Sequence, residues 1–134
     1  MRLRSIAAFY KRLFARLFDW GLRAHGMQDF PEYNAILGLS MVATFNLLSL
    51  LMIGEYALGT DRFLSHPKLV AITSWCACVA GHYFMLVHGG RAKQILAELS
   101  ASESPSTLVT WAYFLASIAC FLGIATVRLA FSRY

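Results

Sequence analysis

Three long apolar runs dominate the pattern of hydrophobic and polar positions along this chain. They cover Ala35–Ile53, Leu69–Val87 and Thr107–Val127, and none of them contains Asp, Glu, Lys or Arg. Each is about 20 residues long, which is the length that an α-helix needs to cross a hydrocarbon core of about 30 Å. The pattern predicts an all-α integral membrane protein with three transmembrane helices.

A different periodicity precedes the first run, in residues 2–23. At about 100° per residue, the apolar side chains fall on one arc of a helix and the basic side chains on the opposite arc. The apolar arc holds Leu3, Ile6, Tyr10, Leu13, Leu17 and Trp20, and the cationic arc holds Arg4, Lys11, Arg12, Arg16 and Arg23. A helix of this kind lies in the membrane interface, so we expect its basic residues to bind anionic lipid head groups or another polyanion. Two units follow, an interfacial helix over 1–26 and a three-span domain over 27–134.

The charge distribution adds an orientation to this picture. Apolar residues make up 58% of the chain and charged residues 14%, whereas an average soluble domain has about 25% charged residues. Eight of the 12 Lys and Arg residues lie before the first run or between the second and third, and four lie in the first loop and the tail. The positive-inside rule predicts a cytoplasmic N-terminus and an external C-terminus. We expect a multi-pass protein of the bacterial inner membrane.

Five polar side chains inside the runs are the candidate functional residues. With a rise of about 1.5 Å per residue, Asn46 and Ser117 share one depth near the middle, and His82, Tyr113 and Ser40 share a second depth nearer the cytoplasm. Exposure to lipid would be costly, so these groups should face protein or water. They either form hydrogen bonds between helices or line a conduction path. A path requires an oligomer, since three spans alone enclose no pore.

Other chemistry has little support in the sequence. Cys76, Cys78 and Cys120 all lie inside the runs, where cysteine is usually a small packing residue. Cys78 and His82 are four residues apart, which is half of a metal site, but the other runs offer no second pair of ligands. We therefore expect no metal and no cofactor. Paired carboxylates, a nucleophile with its base and a glycine-rich phosphate loop are also missing, which argues against an enzyme.

Parts of the chain resemble small bacterial membrane proteins. These parts are the basic stretch YKRLFARLFDW, the span PEYNAILGLSMVATFNLLSLL with its internal Asn, and GGRAKQILAELSASESPSTLVTWAYFLA before and within the last span. Some proteins of this layout are membrane effectors of antiphage systems. The chain is similar in kind to the Hailong type, which implies an oligomeric channel held shut by a DNA oligomer that a partner nucleotidyltransferase makes. The resemblance carries over no individual residue.

Two functions are therefore compared. The first is a small oligomeric membrane effector or channel, gated by a polyanionic or nucleotide ligand in antiphage defence. The second is a non-catalytic anchor or accessory subunit of a larger inner-membrane complex. The succinate dehydrogenase anchors are also short three-span chains, but their Ser-x-x-His-Arg pattern does not occur here, and His82 is the one histidine well inside a run. The sequence favours the first function.

Overall fold

The computed structural model describes residues 3–25, 30–60, 65–100 and 107–131. These ranges are helical and contain no strand. The helices are α1 (Leu3–His25), α2 (Pro31–Leu58), α3 (Pro67–Leu86), α4 (Arg91–Ser100) and α5 (Thr107–Phe131). Segments of α2, α3 and α5 are long and apolar enough to cross a membrane. The all-α prediction and the three helices of spanning length are confirmed.

The helix α2 extends beyond the predicted span at both ends. It begins at Pro31, a favourable first position because proline lacks an N–H that would have no partner there. It ends before Gly59, which has a φ of 62° and donates its N–H to the Tyr56 carbonyl at 3.4 Å. This left-handed glycine is a common helix ending. The charged Glu55 therefore lies inside the helix rather than in the loop that follows the predicted span.

The helix α2 is also the centre of the fold. It packs against α1, α3 and α5, and α4 packs against α1 and α3. Gly21 lies beside Pro31, and Leu17 lies beside Gly38. These contacts show that the chain reverses direction after α1. Thus α1 runs antiparallel along the first part of α2. The end of the bundle where α2 begins is called the lower end here, and the end where α2 finishes is called the upper end.

A compact apolar core fills the lower end. It is built from Leu13 and Phe14 of α1, Ala35, Ile36 and Leu39 of α2, Leu86 of α3, and Ala92 and Ile95 of α4. The sequence places the apolar arc of α1 in the membrane interface, whereas the structure packs the middle of that arc, at Tyr10, Leu13 and Leu17, against these helices. Leu13 is 2% exposed. The helix α1 is therefore part of the bundle, because it shares this core with α2, α3 and α4.

A glycine pair makes the turn between α3 and α4. Gly89 and Gly90 have φ values of 71° and 76°, a region that other residues enter at a cost. They follow the last turn of α3, and α4 begins directly at Arg91. The helix α3 therefore ends within one residue of the end of the second apolar run, Val87. The turn lets α4 fold back and place Ile95 in the core with α1.

The helices α3 and α5 leave most of their apolar surface uncovered. Their most apolar windows are 6% and 11% buried, whereas that of α2 is 44% buried. The exposed side chains include Ile72 and Phe84 on α3 and Leu115 and Leu122 on α5. These surfaces are suited to contact with lipid or with neighbouring protein.

Candidate functional site

Six hydrogen-bonding side chains meet where α1, α2, α3 and α5 approach one another. This polar cluster consists of Tyr10, Ser40, Asn46, His82, Tyr113 and Ser117. Ser40 and Ser117 are buried and the other four are partly buried. Buried polar groups in an apolar bundle need partners, and each member of the cluster has at least one.

The first contact joins α2 to α3. The Oγ of Ser40 lies 3.0 Å from Nδ1 of His82. The same imidazole also donates to the backbone carbonyl of Cys78, one turn earlier on α3. The imidazole therefore has one partner on its own helix and one on α2.

The second set of contacts centres on the hydroxyl of Tyr113, on α5. Asn46 donates through Nδ2 to this oxygen at 3.1 Å. Ser117, one turn later on α5, is a further hydrogen-bond partner of the same hydroxyl. Tyr113 therefore connects α2 to α5, and several donors and acceptors converge on one oxygen atom.

Tyr10 of α1 connects the two sets. Its ring stacks on His82 with a centroid distance of 6.0 Å and an interplanar angle of 28°. Its hydroxyl lies 3.4 Å from the hydroxyl of Tyr113. The neighbouring Phe9 meets Tyr113 edge-on at 5.3 Å. The basic helix thus contacts the polar residues of two candidate spans at once.

The sequence predicts the five span residues of this cluster but not Tyr10. Ser40 and His82 are predicted at one depth, and the structure places them in contact. Asn46 and Ser117 are also predicted as a layer, and both meet at Tyr113. The two predicted layers are therefore one network. In the single chain these side chains bond to one another, and their role in lining a pore stays a prediction.

A clear signal for Tyr10 exists in the sequence. It lies on the apolar arc of α1, and a tyrosine on a packed apolar face still needs a partner for its hydroxyl. The partner cannot be named from the sequence, because Tyr10 and Tyr113 are 103 residues apart.

The basic residues of α1 have different surroundings. Lys11 donates to Glu98 of α4 at 3.2 Å, and Arg23 pairs with Asp19 on its own helix at 2.8 Å. Arg12 is exposed, and Arg16 lines a cavity between α1, α2 and α5. The side chain of Arg4 lies outside the described residues. The predicted cationic face is therefore partly used for contacts within the protein.

An ion pair that is not predicted from the sequence joins α2 to α5 at the upper end. Oε2 of Glu55 lies 2.5 Å from Nη1 of Arg128. The Glu55 side chain is 1% exposed and that of Arg128 is 30% exposed. Arg128 directly follows the third charge-free run and Glu55 lies two residues after the first, at the same predicted end of the bundle. Opposite charges at equal depth are the feature of the sequence from which this ion pair can be predicted.

The cysteines and potential metal ligands complete the description. Cys76 and Cys120 are exposed and Cys78 is partly exposed, so the first two do not pack inside the single chain. Within the described ranges, no group of three or more His, Cys, Asp and Glu side chains is arranged to hold a metal ion.

Comparisons with known proteins give no family assignment. A scan against protein-family models, a search of curated proteins and a search of solved structures each found no match to this chain. The functional conclusion therefore depends on the polar cluster and on the charges around it.

Proposed function

We propose that this protein is a small oligomeric membrane effector or channel whose basic helix α1 responds to a polyanionic ligand, such as an oligonucleotide. It acts without catalysis, in the bacterial inner membrane, with α1 on the cytoplasmic side. The observation that carries the proposal is the position of Tyr10. This one side chain of the basic helix contacts both His82 and Tyr113 in the candidate spans.

The charges of α1 give the ligand a way to act on the cluster. Lys11 is next to Tyr10 in the chain, and its ion pair with Glu98 is partly exposed on both sides. Exposed pairs of this kind contribute at most about 1 kcal/mol, so a phosphate group can compete with Glu98 for Lys11. Release of Lys11 would loosen α1 from α4. A shift of α1 moves Tyr10 away from its two partners.

The bundle also suggests why conduction needs neighbours. The helix α2 lies at the centre of the single chain, where it packs directly against α1, α3 and α5. The uncovered faces of α3 and α5 provide the surfaces through which copies can associate. In such an assembly, Asn46 loses its contact with Tyr113 and His82 loses its contact with Tyr10 when α1 shifts. The two freed polar side chains then alter the conduction path.

The test is the conductance of purified protein in planar bilayers, with and without single-stranded DNA oligomers. We expect currents that the oligomers change, and we expect Asn46→Leu and His82→Leu to alter the current per oligomer. Tyr10→Phe should weaken the ligand response, whereas Tyr56→Phe should not, because Tyr56 is 79% exposed and outside the cluster. Silence under all conditions, together with a monomeric mass in detergent, would refute the proposal.

The second candidate is an accessory subunit of a larger membrane complex. It is favoured by the slight coverage of α3, which leaves room for a partner subunit. Purification from native membranes distinguishes the two. A stoichiometric partner together with a silent purified chain supports the subunit, and a homo-oligomer that conducts supports the channel.

The role in antiphage defence is proposed from the resemblance alone. Its test is phage plating on cells that express the chain together with a candidate nucleotidyltransferase. Protection that is lost with Tyr10→Phe and kept with Tyr56→Phe supports the role, and equal plating in all strains contradicts it.

A further inference from the structure

A cavity of about 310 Å³ lies between α1, α2 and α5 at the lower end of the bundle. Its lining includes Arg16, Trp20 and Arg23 of α1, Asn34 of α2 and Trp111 of α5. Asp19 lines it as well and is paired with Arg23 at 2.8 Å. With two guanidinium groups and one carboxylate, the lining carries one net positive charge.

The lining combines the groups that hold a lipid phosphate. Guanidinium groups bind phosphate oxygens through two parallel hydrogen bonds, and Asn34 adds an amide donor. Trp20 and Trp111 are 56% and 54% exposed, and tryptophan is enriched at the level of the lipid head groups. The cavity lies at the start of α2 and α5, which is where a bilayer surface would meet these helices.

The surface above the cavity suits acyl chains. Leu108, Trp111 and Leu115 recur on one side of α5 and are 78%, 54% and 63% exposed. They form an apolar strip that meets the cavity at Trp111 and continues along the candidate span to Leu115. A free phosphate would use the cavity alone, whereas a phospholipid would use both the cavity and the strip.

We propose that this cavity binds the phosphate of one anionic phospholipid, with the acyl chains lying along α5. The lipid would contact α1 and α5 together and would hold the lower ends of these helices against α2. This site differs from diffuse attraction of the cationic face to a membrane, because it involves Arg16 and Arg23 but not the exposed Arg12. It does not depend on conduction.

Tryptophan fluorescence can test the site directly. In the Trp75→Phe variant, the remaining tryptophans are the two that line the cavity. The protein is placed in phosphatidylcholine nanodiscs with increasing fractions of brominated phosphatidylglycerol. We expect saturable quenching at a low fraction of this lipid, and much weaker quenching by brominated phosphatidylcholine at the same fraction.

Matched variants separate a defined site from general charge attraction. Arg23→Gln removes a side chain that is 78% exposed, so the fold should be kept. It should raise the half-saturating fraction roughly tenfold, the factor expected for the loss of one hydrogen bond to a charged group. Arg16→Gln should act in the same direction. Arg12→Gln removes the same charge from the same helix outside the cavity and should shift the titration much less than Arg23→Gln.

Three results would overturn the proposal. The first is equal quenching by the two brominated lipids. The second is an equal effect of Arg12→Gln and Arg23→Gln, which would indicate diffuse attraction. The third is recovery of the fluorescence on adding millimolar inorganic phosphate or glycerol phosphate, which would indicate a site for a soluble anion. None of these results bears on conductance, so this proposal and the channel can fail separately.

Discussion

Glu55 and Arg128 form an ion pair that joins the last turns of α2 and α5, and the carboxylate is almost completely buried. A buried charge is costly when it lacks a partner, and more so in an apolar bundle. The pair therefore fixes how the upper ends of two candidate spans meet. The polar cluster connects the same two helices through Asn46 and Tyr113.

The two partners of this pair should respond unequally to mutation. Arg128→Met leaves Glu55 buried without its partner and should cost about 3 kcal/mol of unfolding free energy. Glu55→Gln leaves an arginine that can reach solvent and should cost about 1 kcal/mol. The double variant should lose less than the sum of the single losses. Unfolding in mixed detergent and SDS micelles measures all three.

Lys93→Met is the matched control for this series, because Lys93 is exposed on α4. It should change the unfolding free energy little. A loss in Arg128→Met no larger than that of the control would show that the ion pair does not stabilise the fold.

The glycine turn between α3 and α4 gives a second prediction. Gly89→Ala places a side chain at a φ of 71°, which costs roughly 1–2 kcal/mol. Gly54→Ala is the control, since Gly54 lies within α2 and a Cβ there meets nothing within 4 Å. Alanine should stabilise that position by up to about 1 kcal/mol. Thermal unfolding in detergent should show opposite shifts for the two variants.

The sequence predicts local features of this fold well. Charge-free runs locate α2, α3 and α5, because helix length and apolar content are properties of each segment alone. The amphipathic period locates α1. The predicted ends of the spans are less accurate. A charged residue such as Glu55 predicts the end of the first span, but its ion pair with Arg128 lets the helix continue past it.

The contacts between helices are harder to predict from the sequence. Lys11 and Glu98 are 87 residues apart, and each would look like an ordinary solvated charge. Shared depth predicts that Ser40 and His82 can meet, but it does not give the rotation of α1. For that reason the contact of Tyr10 with the span residues emerges only when α1 is packed against α2.

The hydroxyl of Tyr113 should matter more to stability than that of Tyr10. Tyr113→Phe removes the partner of the Asn46 amide, and a buried unpaired polar group costs about 1–3 kcal/mol. Tyr10→Phe removes one long contact and should cost about 0.6 kcal/mol, a typical value for a hydrogen bond in a membrane protein. The same unfolding assay checks both, with Tyr56→Phe as the control.

A double variant tests the reason for that difference. In Asn46→Leu the amide is gone, so adding Tyr113→Phe should cost less than it does in the original protein. Strict additivity of the two losses would contradict the contact between Asn46 and Tyr113.

The ion pair between Lys11 and Glu98 should control how firmly α1 is held against α4. Lys11→Glu and Glu98→Lys each place two like charges where Nζ of Lys11 and Oε2 of Glu98 now lie 3.2 Å apart. Each should increase hydrogen exchange of the α1 amides, measured by mass spectrometry of peptides from residues 3–25. The exchanged pair, Lys11→Glu with Glu98→Lys, should restore most of the protection.

At about 1 M salt the Debye length falls to about 3 Å, so the differences between variants should shrink. Arg12→Glu changes the helix charge as Lys11→Glu does, but Arg12 is exposed, so Glu98→Lys should not rescue it. If the exchanged pair is as poorly protected as the single variants, then this contact does not hold α1 in place, and ligand competition for Lys11 cannot release it.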